Sequence, residues 1–226
     1  MAPTRLDHIA IALPSIAQAP GIVAGLLGGI PDKTRPSTVF RWATWLFEGG
    51  GCLEVLEPTG PARLVEVRHL EGDVVDPGAA RELGHDVVGR DDSDPSWKEA
   101  FLHPRQAQGI VVQMVEAGPA SEPAAEIPPG VTDPPPPVRL LGLRLRARAK
   151  ARAIGQWRGL LGGSVDDRAS NALIFRWPDS PLRLAVDIDP AGPEGPIALE
   201  LASDRAVAGL DEASARLGIR LTQRSA

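Results

Sequence analysis

The sequence carries a long internal match. Residues 5–29, RLDHIAIALPSIAQAPGIVAGLLGG, lie over residues 139–163, RLLGLRLRARAKARAIGQWRGLLGG, without a gap; both open Arg-Leu and close Gly-Leu-Leu-Gly-Gly. The same spacing carries Phe40-Arg41-Trp42 to within one residue of Phe175-Arg176-Trp177, and LEVLEP onto LAVDIDP. A match this extended points to a structural unit used more than once, and internal duplication is the reading that explains it.

The unit itself is legible from periodicity. RLDHIAIAL alternates as a strand does, with His8, Ala10 and Ala12 on one face and Ile9, Ile11 and Leu13 on the other. SIAQAPGIVAGLLGG reads as a helix, opened by Ser15 as cap and closed by Gly28 and Gly29. VFRWATWLFEG and CLEVLEP follow as strands around a Gly49-Gly50-Gly51 turn, giving one βαβββ unit. A second unit runs through RLVEVRHLEGDVV, a small helix near PGAARELG, then HDVVGRD, SWKEAFLHP and GIVVQMVE; a truncated fourth is IALELASD, AVAGLDEASARLG and IRLTQ. Residues 118–137, GPASEPAAEIPPGVTDPPPP, read as a Pro-rich linker, because proline lacks an N–H donor and favours extended backbone. The expected organisation is a first domain over 1–117, a linker over 118–137 and a second, degenerate domain over 138–226.

Composition removes several classes. At 226 residues, 43% hydrophobic and 23% charged, the chain has enough apolar material for a core. The lone Cys52 excludes an internal disulfide, and no zinc-finger spacing exists, so a reducing, cytoplasmic setting is expected. Asp7, His8 and Pro14 interrupt the N-terminal apolar run, and no segment reaches membrane-spanning length. Residues 1–118 hold 10 basic and 16 acidic groups, whereas residues 139–226 hold 14 and 10. That asymmetry is too small to argue for nucleic acid, and no aromatics interleave the arginines as a stacking platform requires.

DHIAIALP with GLLGG, FRWATWLFEGGGCLEVLEP and WKEAFLHPRQAQGIVVQMVE, in that order, resemble the vicinal oxygen chelate superfamily, and most closely its methylmalonyl-CoA epimerase and glyoxalase I relatives. The resemblance covers most of residues 5–116, with a fainter echo in 139–220. It implies an α+β fold of tandem βαβββ units whose curled mixed sheets enclose a cleft, and a divalent metal held by first-strand and last-strand side chains. Carried over by position, the ligands are His8, Glu54, His69 and Gln113, with Glu54 also the candidate base. Zn, Fe, Mn, Co and Ni all remain open, as imidazole and oxygen donors suit a borderline divalent ion. His69 departs from the usual pattern, because its neighbourhood is reduced to Arg68-His69-Leu70.

Plainer readings stand beside these. His8 reads equally as a hydrogen-bonded core histidine, Glu54 as a partner of Arg41, Gln113 as a bond to backbone, and His69 as a surface residue. Cys52 reads as a buried inert thiol, Glu99 as a solvated carboxylate, His103 as structural and His85 as exposed. In the second half Gly142 stands where His8 does and LAVDIDP lacks the equivalent of Glu54, so no metal is expected there. Arg144, Arg146 and Arg148 read as a salt-bridged face answered by Asp187 and Asp189, or as an anion pocket.

The expected function is a metal-dependent lyase or isomerase acting on a small α-hydroxy, keto or thioester substrate through an enolate-like or enediolate intermediate. Epimerase activity on a CoA thioester is doubtful, since Arg41 is the only charged side chain within residues 38–45. Two alternatives are a non-catalytic binding or resistance-type protein using the same cleft, and an extradiol-type dioxygenase. The partners expected are a small molecule and a second copy of the chain in a homodimer, with neither nucleic acid nor membrane.

Overall fold

The computed structural model describes residues 5–36, 40–59, 67–71, 77–117, 126–166 and 172–226. They form a mixed α+β fold with few helices and two mixed sheets, in two compact bodies. One body is drawn from within His8–Glu66, Glu122–Gly142 and Ala198–Ala226, the other from within Met1–Asp7, Val67–Ser121 and Leu143–Ile197. Each body therefore takes segments from both sides of the Pro-rich stretch.

In the first body the strands are β1 (Arg5–Ala12, from His8 on), β2 (Ile30–Pro36), β3 (Phe40–Leu46) and β4 (Cys52–Pro58), in the order β2-β3-β4-β1. The hairpin pairs are antiparallel, but β1 joins β4 in parallel, with Ala10 opposite Glu54. Parallel neighbours cannot be joined by a tight turn, so the crossover between them carries the helix. Ile9, Ile11, Leu53 and Val55 turn to the face that is wholly buried. The body also holds β13 (Gly195–Ala202, from Ala198 on), α4 (Leu210–Leu217) and β14 (Arg220–Arg224), with β13 and β14 parallel.

The long helix expected over residues 15–29 is broken up. A 3-10 turn at Ile16–Gln18 leads into α1 (Ala19–Val23), with Pro20 in its first turn, where a missing N–H costs nothing. Ser15 makes no side-chain cap; the Glu57 carboxylate instead accepts from the Ile16 N–H at 2.8 Å. The helical stretch ends at Gly28, φ 74°, with the Gly29 N–H bonded to Val23 O at 2.8 Å.

The second body contains β5 (Val67–Glu71), α2 (Pro77–Glu82), β6 (Val87–Asp94), β7 (Trp97–Leu102) and β8 (Val111–Ala117), in the order β5-β8-β7-β6. It also contains β9 (Arg139–Ala147, from Leu143 on), α3 (Lys150–Ile154), β10 (Ser164–Asp166), β11 (Leu173–Arg176) and β12 (Arg183–Ile188), in the order β10-β11-β12-β9. After α3 a π-helical turn, Gly155–Leu160, closes as the first helix does: Gly162 has φ 70° and the Gly163 N–H bonds Trp157 O at 2.8 Å. The GLLGG match is thus a match of backbone hydrogen bonds: both stretches end in a left-handed glycine followed by a glycine whose N–H reaches back six residues. None of the helices among the described residues is long and apolar enough to cross a membrane.

Residues 118–125 of the Pro-rich stretch lie outside the described residues. The rest, up to Pro137, is tied down. Glu126 forms a bridge with Thr34, the Val138 N–H bonds Leu27 O at 2.9 Å, and Arg205 donates to Leu26 O at 2.9 Å and to Pro136 O at 3.1 Å. A β-carbon at Gly28 would run into the carbonyls of Pro135 and Pro136.

His85, expected to be exposed, is buried, with 2% of its surface accessible. It follows α2, where its N–H bonds Ala80 O at 2.9 Å. Its Nδ1 has no partner among the described residues, and burial, then the positive charge of Arg152, holds its pKa below the ordinary histidine value.

Two outcomes are expected. Gly162→Ala costs about 1–2 kcal/mol for the left-handed backbone alone, and Gly28→Ala costs more because its methyl also meets two carbonyls; urea denaturation followed by circular dichroism measures both. For His85 the folded-state pKa lies below the unfolded value, so its stabilisation is complete above about pH 6.5 and is lost as pH falls towards the folded pKa. Urea midpoints at about pH 7 and about pH 5.5 should fall in the parent chain, with a slope from this group no steeper than about 1.4 kcal/mol per pH unit, and fall less in His85→Leu.

Candidate functional site

In the first body, strand register decides which side chains meet. Ala10 stands beside Glu54, and His8, two residues earlier on the same face, brings Nε2 to 3.2 Å from Glu54 Oε2. Both side chains are mostly buried, at 10% and 14% exposure. Two ligands bonded to one ion at about 2.1 Å lie about 3.0 Å apart at a right angle and about 3.4 Å apart at a tetrahedral one. The observed separation falls inside that window, so the pair fits two positions on a divalent ion.

Across β3 the next residue in the row is Thr44, directly opposite Glu54 and 7% exposed. Its hydroxyl accepts from the Lys33 N–H at 3.1 Å and lies 3.2 Å from Asp32 Oδ2. The same face carries Cys52 beside Leu46, and Leu46 beside Ile30; the last two are 37% and 56% exposed. Cys52 is partly exposed, not the buried thiol of the plain sequence reading. Arg41 does not pair with Glu54: it lies 3.6 Å from Glu57.

In the second body, Gln113 and His69 occupy paired positions on the parallel strands β8 and β5. The side chain of His69 lies outside the described residues. Gln113 bonds a side chain, not backbone: its Nε2 donates to Glu99 Oε2 at 2.7 Å. Glu99 also accepts from the Trp97 indole at 3.3 Å, so it is not simply solvated. His103 is structural, its Nδ1 accepting from the Arg105 N–H at 3.1 Å. Among the described residues no three His, Cys, Asp or Glu side chains gather into a metal-binding group.

The arginine face of β9 is ion-paired. Arg144 grips Asp187 through two bonds, at 2.9 and 2.7 Å, and Arg146 lies 3.5 Å from Asp189. Arg148 donates to Gly192 O at 3.0 Å.

Sequence reasoning missed a buried polar chain in this body. The Trp157 Nε1–H donates to Gln108 Oε1 at 3.0 Å, and Gln108 Nε2 donates to Gln156 Oε1 at 3.0 Å, both glutamines being wholly buried. Arg152 adds a bond to Gln106 O at 2.7 Å. Gln108 and Gly109 form a tight left-handed turn there, with φ values of 57° and 81°.

No family model matches the sequence, and no curated protein matches it. Solved structures do. The Mn(II)-bound glyoxalase from Novosphingobium aromaticivorans is similar with a TM-score of 0.58 and 11% identity, over 96% of this chain and 71% of that one. A mutant 4-hydroxymandelate synthase from Streptomyces coelicolor is similar with a TM-score of 0.56 and 13% identity, over 96% and 75%. At such identities the likeness is one of architecture, and with the parallel closure of β1 on β4 it gives the chain a glyoxalase-like fold.

Proposed function

We propose that the chain is a divalent-metal-dependent lyase or isomerase of small oxygenated substrates, with His8 and Glu54 among the ligands. The observation that carries this reading is the 3.2 Å approach of His8 Nε2 to Glu54 Oε2 in a mostly buried setting. A carboxylate and an imidazole withdrawn from water this far must be compensated, and a shared cation compensates both. That a protein of the same fold is Mn(II)-bound supports a cation.

The metal would supply Lewis acidity to two neighbouring substrate oxygens. Glu54 is the base: its carboxylate takes the proton from the carbon next to the substrate carbonyl, leaving an enolate or enediolate, and returns it at the adjacent position. His8 keeps the carboxylate in place on its strand face. In the second body His69 and Gln113 are the proposed ligand positions, and a small molecule is the proposed partner, with the chain acting as a homodimer. The dioxygenase reading has one support, the shared fold of the hydroxymandelate synthase.

Metal analysis of the purified chain after loading with Mn(II) and desalting tests the proposal. The parent chain should hold about one ion, and His8→Ala and Glu54→Ala should each lose at least about tenfold in affinity, as removal of a direct ligand costs no less than that of an outer partner. A parent chain that retains no ion, yet binds small organic ligands, would replace this reading with sequestration.

A further inference from the structure

Glu99 sits on β7, two register positions from Gln113 along the sheet: Phe101 is opposite Gln113, and Glu99 is opposite Val115. It reaches Gln113 along the diagonal, which long side chains span. Its Oε2 holds the Gln113 amide at 2.7 Å, and the Trp97 indole holds the same oxygen at 3.3 Å.

We propose that Glu99 is a positioning residue that fixes the orientation of the Gln113 amide, so that Gln113 offers its carbonyl oxygen to a divalent cation. The proposal rests on the reading of Gln113 as a ligand. A glutamine side chain has an acceptor at one corner of its amide and two donors at the other, and half a turn about the last bond exchanges them. Only one of these orientations can bind a cation, because the NH2 group presents hydrogens.

An ionised carboxylate accepts and cannot donate, so beside Glu99 the Gln113 amide has one stable orientation. The reverse would set two oxygens against each other at hydrogen-bond distance. The bond is short and charge-assisted, and so among the stronger kinds. The indole in turn ties down the carboxylate. The chain Trp97, Glu99, Gln113 thus turns an amide that fits either way round into a hard oxygen donor of the kind that suits a divalent ion.

Co(II) titration, read by visible absorption and by the dissociation constant, tests this in a double-mutant cycle. Glu99→Ala should weaken Co(II) binding about tenfold and shift its absorption bands, as loss of a partner behind a ligand does. Glu99→Gln, which keeps an acceptor oxygen, should retain most of the affinity. In a Gln113→Ala background Glu99→Ala should cost nothing further, an outcome that a merely structural role for Glu99 would not give. Should Glu99→Ala fail to fold, Glu99→Leu serves in the same cycle. Equal losses in both backgrounds, or none in either, would overturn the proposal and leave the metal reading standing. A parent chain that takes up no Co(II) would overturn both.

Discussion

The parallel pairing of β1 with β4 is the constraint from which the candidate site follows. It brings the beginning of a βαβββ unit beside its end, so two residues 46 positions apart in the sequence, His8 and Glu54, share one patch of sheet. The register is held from the other face. Ile9, Ile11, Leu53 and Val55 are all buried there, and full burial of such side chains is worth about 1.5–3 kcal/mol each. A slip of one residue in either strand would send its two to the opposite face, so hydrophobic packing, not attraction between the two polar groups, determines that they meet. The cost of withdrawing an imidazole and a carboxylate from water is carried by the packing behind them.

The third unit shows the same architecture put to another use. Its helix ends through the same glycine geometry, with Gly162 and Gly163 standing for Gly28 and Gly29. Its first strand, however, has Gly142 in the place of His8, and the polar pair on it is Arg144 with Asp187. Both members are about a third exposed, so water screens them and the pair contributes at most about 1 kcal/mol. It is a fixed, self-neutralising contact.

Most strands could be read from the sequence because their signal is local. Alternation placed RLDHIAIAL and CLEVLEP correctly and put His8 and Glu54 on the faces that they occupy. The helix after β1 is shorter than its apolar periodicity implies, since that periodicity continues through residues 24–27, where the chain makes turns, and Pro20 sits in the first turn of the regular helix. Ser15 is a good capping residue by type, but Glu57, distant in sequence, performs that role. The burial of His85 is set from a distance too: nothing in Gly84-His85-Asp86 reports that the ring is covered. The Glu99 to Gln113 bond depends on a diagonal across two strands, and a diagonal can be read only once the register is known.

The Pro-rich stretch looks in the sequence like a tether, yet from Glu126 onward it is clamped by Thr34, by Leu27 and by the guanidinium of Arg205, with the carbonyls of Pro135 and Pro136 resting against Gly28. A connector packed in this way behaves as a moulded part. Spacer peptides spliced into residues 126–137 would cost the first body its own side wall, whereas the same insertion in a slack leash would be harmless. Anyone cutting the gene at the prolines to obtain two half-proteins would divide the first body, because Arg205, far downstream, bonds the Leu26 carbonyl just past the first helix.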